Sequence, residues 1–244
     1  MTNLCEIIQL KKQEQKNFLD DINNKIKNMS IEDRIIWNLN KLPKNHILSS
    51  SFGIQSSVLL HLVTKHIPKI PVVLIDTGYL FSDTYRYIDK MVAKLQLNLY
   101  IFRSKISPRW QEARYGKLWE QKLDGINLYN KINKIIPMKK SLKVLKVKTW
   151  IAGLRRQQST TRSNLSFLSI QNKIFKFLPI LDWDNNMIFS YIKKNNLDMH
   201  PLWKKNYRSV GDIHTTRKWK KGELEENTRF FGLKRECGIH YINK

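Results

Sequence analysis

Two cysteines occur in the 244 residues, and the surroundings of one of them, Cys237, suit reaction. Its segment, RFFGLKRECGIHY (229–241), places Lys234, Arg235 and His240 around the thiol and the flexible Gly238 beside it. Nearby cations favour the thiolate, the nucleophilic form, over the thiol, whose free pKa is about 8.5. Glu236 works against this locally. Inert cysteines are usually buried among apolar groups; this one lies in charged chain, so nucleophilic chemistry is expected.

Three further segments could hold an anionic ligand. SSSFGIQSS (49–57) offers the hydroxyls of Ser49, Ser50 and Ser51, the backbone at Gly53 and a helix opening near Ser56. Such donors suit an anion, although an ordinary serine-rich turn with a helix cap has the same composition. IDTGYLF (75–81) combines a short carboxylate, Asp76, with Gly78, which fits either adenine and ribose recognition or a plain strand-ending turn. GLRRQQSTTR (153–162) gathers Arg155, Arg156 and Arg162 with hydroxyls and amides. Guanidinium forks pair well with phosphate or sulfate oxygens, and a solvated basic loop is the alternative. The phosphate-loop lysine motif and the dinucleotide GxGxxG are both missing from the sequence.

These segments need a frame. Residues 4–27 carry apolar positions at helical spacing, and Ser30, with Asp33 three residues on, caps a second helix that stops before Pro43. Short apolar runs then alternate with amphipathic helices. Strands are expected at 46–52, 71–78, 97–102, 148–155 and 173–181. Helices are expected at 55–66, at 82–96 with Ser82 as N-cap, from there to about Leu145 after the 97–102 strand, and at 185–196. Strands separated by helices argue for an α/β fold, a mostly parallel sheet flanked by helices. Ligands in such folds sit beyond the C-terminal strand ends, which is where the candidate segments fall. Beyond about residue 200 the periodicity fades into a tail. The expected organisation is a helical extension (1–42), a nucleotide-binding α/β domain (43–216) and a mobile C-terminal catalytic tail (217–244).

Composition bounds the remaining possibilities. Two cysteines are too few for a disulfide framework or a four-cysteine metal or iron–sulfur site. The net charge of +24 predicts attraction to something anionic. Lysine outnumbers arginine 32 to 12, however, and no dense basic run meets a nucleic-acid motif, so a nucleic-acid partner is not expected. The first residues lack the uninterrupted apolar stretch of a signal peptide. No run approaches the ~18 apolar residues of a membrane span. A soluble, cytoplasmic protein without membrane partners is the expectation.

In this order and at these spacings, SSSFGIQSS, LIDTGYLFSDTYRYID, WQEARYGKLWEQ, TWIAGLRRQQS, PILDWDN, HPLW, SVGDIHTTRKW and TRFFGLKRECGIH resemble the 3′-phosphoadenylyl sulfate (PAPS) reductases. The resemblance covers nearly everything after the first 25–30 residues. It implies an adenine nucleotide α-hydrolase-like fold with a modified pyrophosphate loop. ATP pyrophosphatases of that fold carry Ser-Gly-Gly-x-Asp-Ser; here Ser51-Phe52-Gly53-Ile54-Gln55-Ser56 puts Phe at the second position and Gln for Asp. That departure weakens the rival reading of an ATP-dependent ligase or sulfurtransferase. The iron–sulfur relatives that reduce adenylyl sulfate carry a cysteine pair and a Cys-x-x-Cys. By resemblance these would fall near Tyr129-Asn130 and on Asp212 and Thr215, where this chain has no sulfur, so no cluster is expected.

The resemblance further implies that Cys237 attacks the substrate sulfur and that no bound cofactor takes part. Ser49, Ser50, Ser51, Gly53 and Ser56 would face phosphate and sulfate oxygens, and Asp76 with Gly78 the adenosine. Arg155, Arg156 and Arg162 would contact phosphates, the 3′-phosphate included. His214, Arg217, Arg229, Lys234, Arg235 and His240 would close over the sulfonate. A lone cysteine in the tail needs an outside dithiol: thioredoxin, or glutaredoxin in its place. A homodimer is the family's habit. A cluster-free adenylyl sulfate reductase is the nearest alternative.

Overall fold

The computed structural model describes residues 7–234 and 236–240; Cys5 and Arg235 lie outside them. Among the described residues six strands form one sheet in the order β3-β2-β1-β4-β6-β5. β1 (His46–Ser49), β2 (Pro71–Ile75), β3 (Asn98–Phe102), β4 (Thr149–Ala152) and β6 (Ile174–Phe177) run parallel. β5 (Leu168–Gln171) closes one edge antiparallel to β6. The order reverses at β1, which pairs with both β2 and β4. In doubly wound sheets, the crevice beyond the strand ends at such a reversal is where ligands bind.

All four residues of β4 are buried, as a central parallel strand covered on both faces requires. Helices supply the cover: α3 (Ser56–His66), α4 (Ser82–Leu95), α5 (Pro108–Tyr115), α6 (Lys122–Asn130), α7 (Ile136–Val144) and α8 (Asn185–Lys194). The long helical stretch expected before Leu145 is therefore broken. α6 passes into α7 through a π-helical segment, Lys131–Ile135. Pro137 removes a backbone donor at the start of α7, and the wider turn absorbs that loss.

Several expected boundaries shift. Ser82 is the first helical residue of α4, and extended Phe81 is the N-cap with no side-chain cap bond. The strand expected at 173–181 covers only Ile174–Phe177, because the chain turns at Leu178. β5 was not expected at all. It pairs with β6 across Asn172 and Lys173, both at positive φ (50° and 61°), a two-residue hairpin turn without glycine.

Two N-terminal helices, α1 (Lys12–Lys27) and α2 (Ile31–Lys41), join the same core through Ile22, Ile26 and Ile35. Ser30 caps α2 by accepting the Asp33 amide at 3.1 Å, as its spacing predicts. The Asn23 side chain donates to the Leu168 carbonyl (2.9 Å) and accepts its amide (2.8 Å), tying α1 to the β5 edge. Arg34 sits at this junction, 5% exposed. It forks onto Asp182 (2.7 and 2.8 Å), donates to the carbonyls of Ile26, Lys27 and Pro179, and lies 4.6 Å from the Phe167 ring centroid. Beyond residue 200 the chain proceeds by short 3-10 turns and two isolated bridges, Leu80–Asp212 and Thr216–Arg229, which explains the missing periodicity. No described helix is long and apolar enough to cross a membrane.

Arg34→Ala is expected to lower the unfolding free energy by about 2–3 kcal/mol, below the range for a fully buried pair because Asp182 keeps some solvent. Urea denaturation followed by far-UV circular dichroism measures it.

Candidate active site

The loop that leaves β1 turns sharply before α3. Its left-handed residue is Phe52 (φ 49°), fully buried, whose amide donates to Ser50 Oγ at 3.1 Å. Gly53 beside it has no positive φ, and a Cβ there would touch only Ser51 Oγ at 3.6 Å and the Val210 carbonyl at 4.0 Å. The conformational demand therefore falls on Phe52, held in place by its burial. Ser49, Ser50, Ser51, Gly53 and Ser56 all line a cavity of about 300 Å³ at the C-terminal ends of β1 and β4. That size suits a small-molecule site.

Arg155 leaves β4 into the same cavity and is only 3% exposed. Its guanidinium donates to Gln55 Oε1 (2.5 Å), Asn185 Oδ1 (3.0 Å) and the Trp183 carbonyl (3.0 Å). Every one of these partners is neutral. Burial pulls its pKa down to about 10, with Glu225 and Asp184 opposing from longer range. A buried cation whose bonds all go to neutral groups has a strong preference for an anion beside it. Arg229, partly exposed, is a second cation whose hydrogen bond goes to a neutral group. Burial lowers its pKa, with Asp212, Cys237 and Glu236 countering, and its Nη1 reaches only Ser209 Oγ at 3.4 Å. Gly211 is glycine because any Cβ would fall on that guanidinium.

Cys237, partly exposed, lines the same cavity with Glu236 and His240. Arg162 also lines it, but its guanidinium is engaged with the Glu236 carboxylate (Nε–Oε1 2.7 Å, Nη2–Oε2 3.1 Å). The His240 ring stacks on Trp150 at 5.2 Å.

Other expected residues sit elsewhere. Asp76 is spent on its own turn: it accepts the Gly78 amide (2.9 Å), the Tyr85 hydroxyl (2.8 Å) and Arg103 Nε (2.8 Å), and does not line the cavity. Gly78 (φ 77°) is required there, since a Cβ would meet Pro108 Cγ at 2.6 Å. Arg156 folds back onto the Leu165 carbonyl (2.7 Å) and the Phe167 ring, because its strand-end neighbour Arg155 takes the inward direction. Arg217 forks onto Glu223 at the surface, and Lys234 reaches Asn127 (2.7 Å), both away from the cavity. His214 stacks on Trp119 (3.8 Å) between Tyr79 and Tyr129, and burial holds its pKa near 4, so it is neutral.

Residues not singled out from the sequence complete the lining. Lys134, in the π-helical segment, pairs with buried Asp212 (2.5 Å), which also accepts the Thr77 hydroxyl. Burial alone would raise the Asp212 pKa, but Lys134 and Thr77 override it and hold the carboxyl ionised. Arg208 stands over Trp203 at 4.0 Å. A lysine buried by a one-residue helical widening leaves no trace in hydrophobic periodicity. Tyr129 lies within electrostatic reach of Asp212.

The family model described as phosphoadenosine phosphosulfate reductase domain matches residues 45–218. The chain is 57% identical over 238 residues to the phosphoadenosine 5′-phosphosulfate reductase of Proteus mirabilis, covering 98% of each. It is 58% identical over 231 residues to the protein of the same description from Zymomonas mobilis, covering 95% of each. Among solved structures it resembles the phosphoadenylyl-sulfate reductase of Candida auris in a phosphate complex, with a TM-score of 0.72, 26% identity, and coverage of 85% of this chain and 98% of that one. Candida glabrata FMN adenylyltransferase shares the fold at a TM-score of 0.57 and 16% identity, over 89% of this chain and 72% of that one.

Gln55→Asp gives Arg155 the carboxylate it lacks. Affinity for inorganic pyrophosphate is expected to fall about tenfold or more, the scale of one charged hydrogen bond, with the melting temperature unchanged or raised. Calorimetric titration beside thermal unfolding checks both.

Proposed function

Because this chain belongs to the phosphoadenosine phosphosulfate reductase family, and is an oxidoreductase, we infer that it reduces PAPS to sulfite and adenosine 3′,5′-bisphosphate by way of S-sulfocysteine at Cys237. One observation carries this reading: Cys237 opens onto the cavity that also holds Arg155 and Arg229, two cations with no ion pair among the described residues.

The substrate carries negative charge on its phosphates and its sulfonate. Its phosphosulfate lies between the loop of Ser49–Gly53 and Arg155, with the opening of α3 adding partial positive charge. The Cys237 thiolate attacks the sulfonate sulfur. The new S–S bond forms as the sulfur–oxygen bond to phosphate breaks, and the bisphosphate leaves with the electron pair. Arg155 and Arg229 offset the charge that develops on the departing oxygen and on the sulfonate. One thioredoxin thiolate then attacks Cys237 Sγ, sulfite departs with the S–S bonding pair, and a mixed disulfide remains. The second thioredoxin thiol attacks its neighbour's sulfur and frees Cys237 as a thiolate. The dithiol supplies the two electrons that take sulfur from sulfonate to sulfite.

The donor is therefore thioredoxin, or glutaredoxin in its place, since Cys237 is the one cysteine of the tail. The cycle needs no iron–sulfur cluster: Tyr129, Asn130, Asp212 and Thr215 carry no sulfur. Lys134 and Asp212 fill part of that region with a buried ion pair. The 3′-phosphate finds its cation among Arg155, Arg162 and Arg208, all on the cavity wall. A cytoplasmic homodimer completes the reading.

Cys237→Ser is expected to abolish sulfite release while adenosine 3′,5′-bisphosphate still binds within about twofold of the parent, since a thiol-to-hydroxyl change removes the nucleophile and leaves the cations. Mass spectrometry of the parent enzyme after PAPS alone should find a sulfonate on the tail peptide. Turnover by the serine variant would overturn the assignment.

A further inference from the structure

Lys176 lies in β6, between Phe175 and Phe177, and is 2% exposed. Strand alternation turns it to the opposite sheet face from those two rings. An ammonium there is costly unless something receives its protons. It makes no ion pair among the described residues. Its hydrogen bond goes to the His240 carbonyl at 2.8 Å. The same ammonium stands 4.7 Å from the centroid of the Trp150 ring, and the His240 imidazole stacks on that ring at 19° between planes. Trp150 in turn donates from Nε1 to Ser49 Oγ at 2.7 Å. β6 and β4 thus present one lysine and one indole to a single tail residue, and Ser49 of β1 holds the indole in place.

Cys237 sits between two anchors. On its N-terminal side Arg162 grips Glu236; on its C-terminal side the lysine and the indole grip His240. Gly238 (φ 90°) links them where a Cβ would meet Ile135 Cδ1 at 3.0 Å. We propose that Lys176 is a positioning residue for Cys237: with Trp150 it forms a dock that holds His240 and so fixes the cysteine over the cavity. This rests on the reading of Cys237 as the nucleophile. A cysteine tethered at both ends spends far more of its time in attack geometry than one tethered at one end, which is where orientation contributes to rate. The surroundings of the ammonium agree with the role. Burial pulls its pKa down to about 7, countered by Glu236 and Cys237 and reinforced by Arg162. His240, its pKa lowered by desolvation, is neutral and offers its carbonyl as acceptor to either form of the lysine.

The test is hydrogen–deuterium exchange of the C-terminal peptide in full-length enzyme, read by mass spectrometry beside two functional numbers. In Lys176→Met the tail amides are expected to exchange about tenfold faster, the scale of one lost hydrogen bond and its stacking partner. Sulfonate transfer to Cys237 in a single turnover should slow by a similar factor, while adenosine 3′,5′-bisphosphate affinity stays within about twofold. Lys176→Arg, which keeps a donor, should recover part of the tail protection. His240→Gly removes the stack without touching the core and must also loosen the tail. Unchanged tail exchange in Lys176→Met, or in His240→Gly should the first variant not fold, overturns the dock. Loss of nucleotide affinity in step with transfer rate overturns it as well. Absence of any sulfonate adduct in the parent enzyme speaks against the nucleophile instead, and leaves the exchange result to decide the dock.

Discussion

A buried guanidinium with only neutral partners dominates this structure. Arg155 is removed from water at the sheet's reversal point and shares its protons among three side-chain amides and a carbonyl. Taking such a cation out of water costs several kcal/mol, and neutral acceptors return only part of it. The deficit is made up when an anion enters. Position 55 decides the matter: an aspartate there would pair with Arg155 and satisfy it permanently, whereas glutamine orients the fork and leaves its charge available. Gln55 thus leaves the charge of Arg155 available to an incoming anion.

The other cations near the cavity are instructive by contrast. Lys134 is neutralised by Asp212, so that pair shapes the wall and adds little net field. Arg162 is neutralised by Glu236, a residue of the tail itself. Arg229 is left with a weak hydroxyl contact. The attractive field for a ligand comes from the cavity-lining arginines without an ion pair among the described residues, Arg155, Arg208 and Arg229, and most of the +24 charge belongs to solvated lysines that salt screens within a Debye length. Composition announced an anion; burial picks out which cations can hold it.

Much of this was legible before any coordinates. The alternation of apolar runs with amphipathic helices pointed to the parallel sheet, and three of the site segments fell at strand ends as expected. Arg155, Arg162, Arg229, Cys237, His240 and the serine loop do come together on one cavity. What failed to show has physical reasons. Asp76 and Gly78 read as ligand groups because an Asp-x-Gly turn that closes on itself has the composition of one that faces a nucleotide; only Arg103 and Tyr85, 27 and 9 residues away, reveal that the carboxylate is occupied. Arg155 and Arg156 are adjacent and look alike, but backbone direction sends one inward and the other onto Phe167. Lys134 and Lys176 were invisible for the same reason. A lysine in the sequence carries no sign of burial, and each is buried against a partner far along the chain, Asp212 and His240 respectively.

The two anchors of the tail answer to different forces, and this bears on how one sulfur can meet two molecules. Glu236 is held by charge, and a phosphate or sulfonate entering the cavity is its rival for Arg162. His240 is held by stacking and by a neutral carbonyl, contacts that an incoming anion does not contest. Ligand charge therefore loosens the N-terminal side of the cysteine and spares the C-terminal side. Gly238, at positive φ between them, supplies the swivel that lets the thiol turn without releasing the dock. On the proposed mechanism, detachment for the second thiol depends on the lysine bond and the stack over Trp150 that together hold His240.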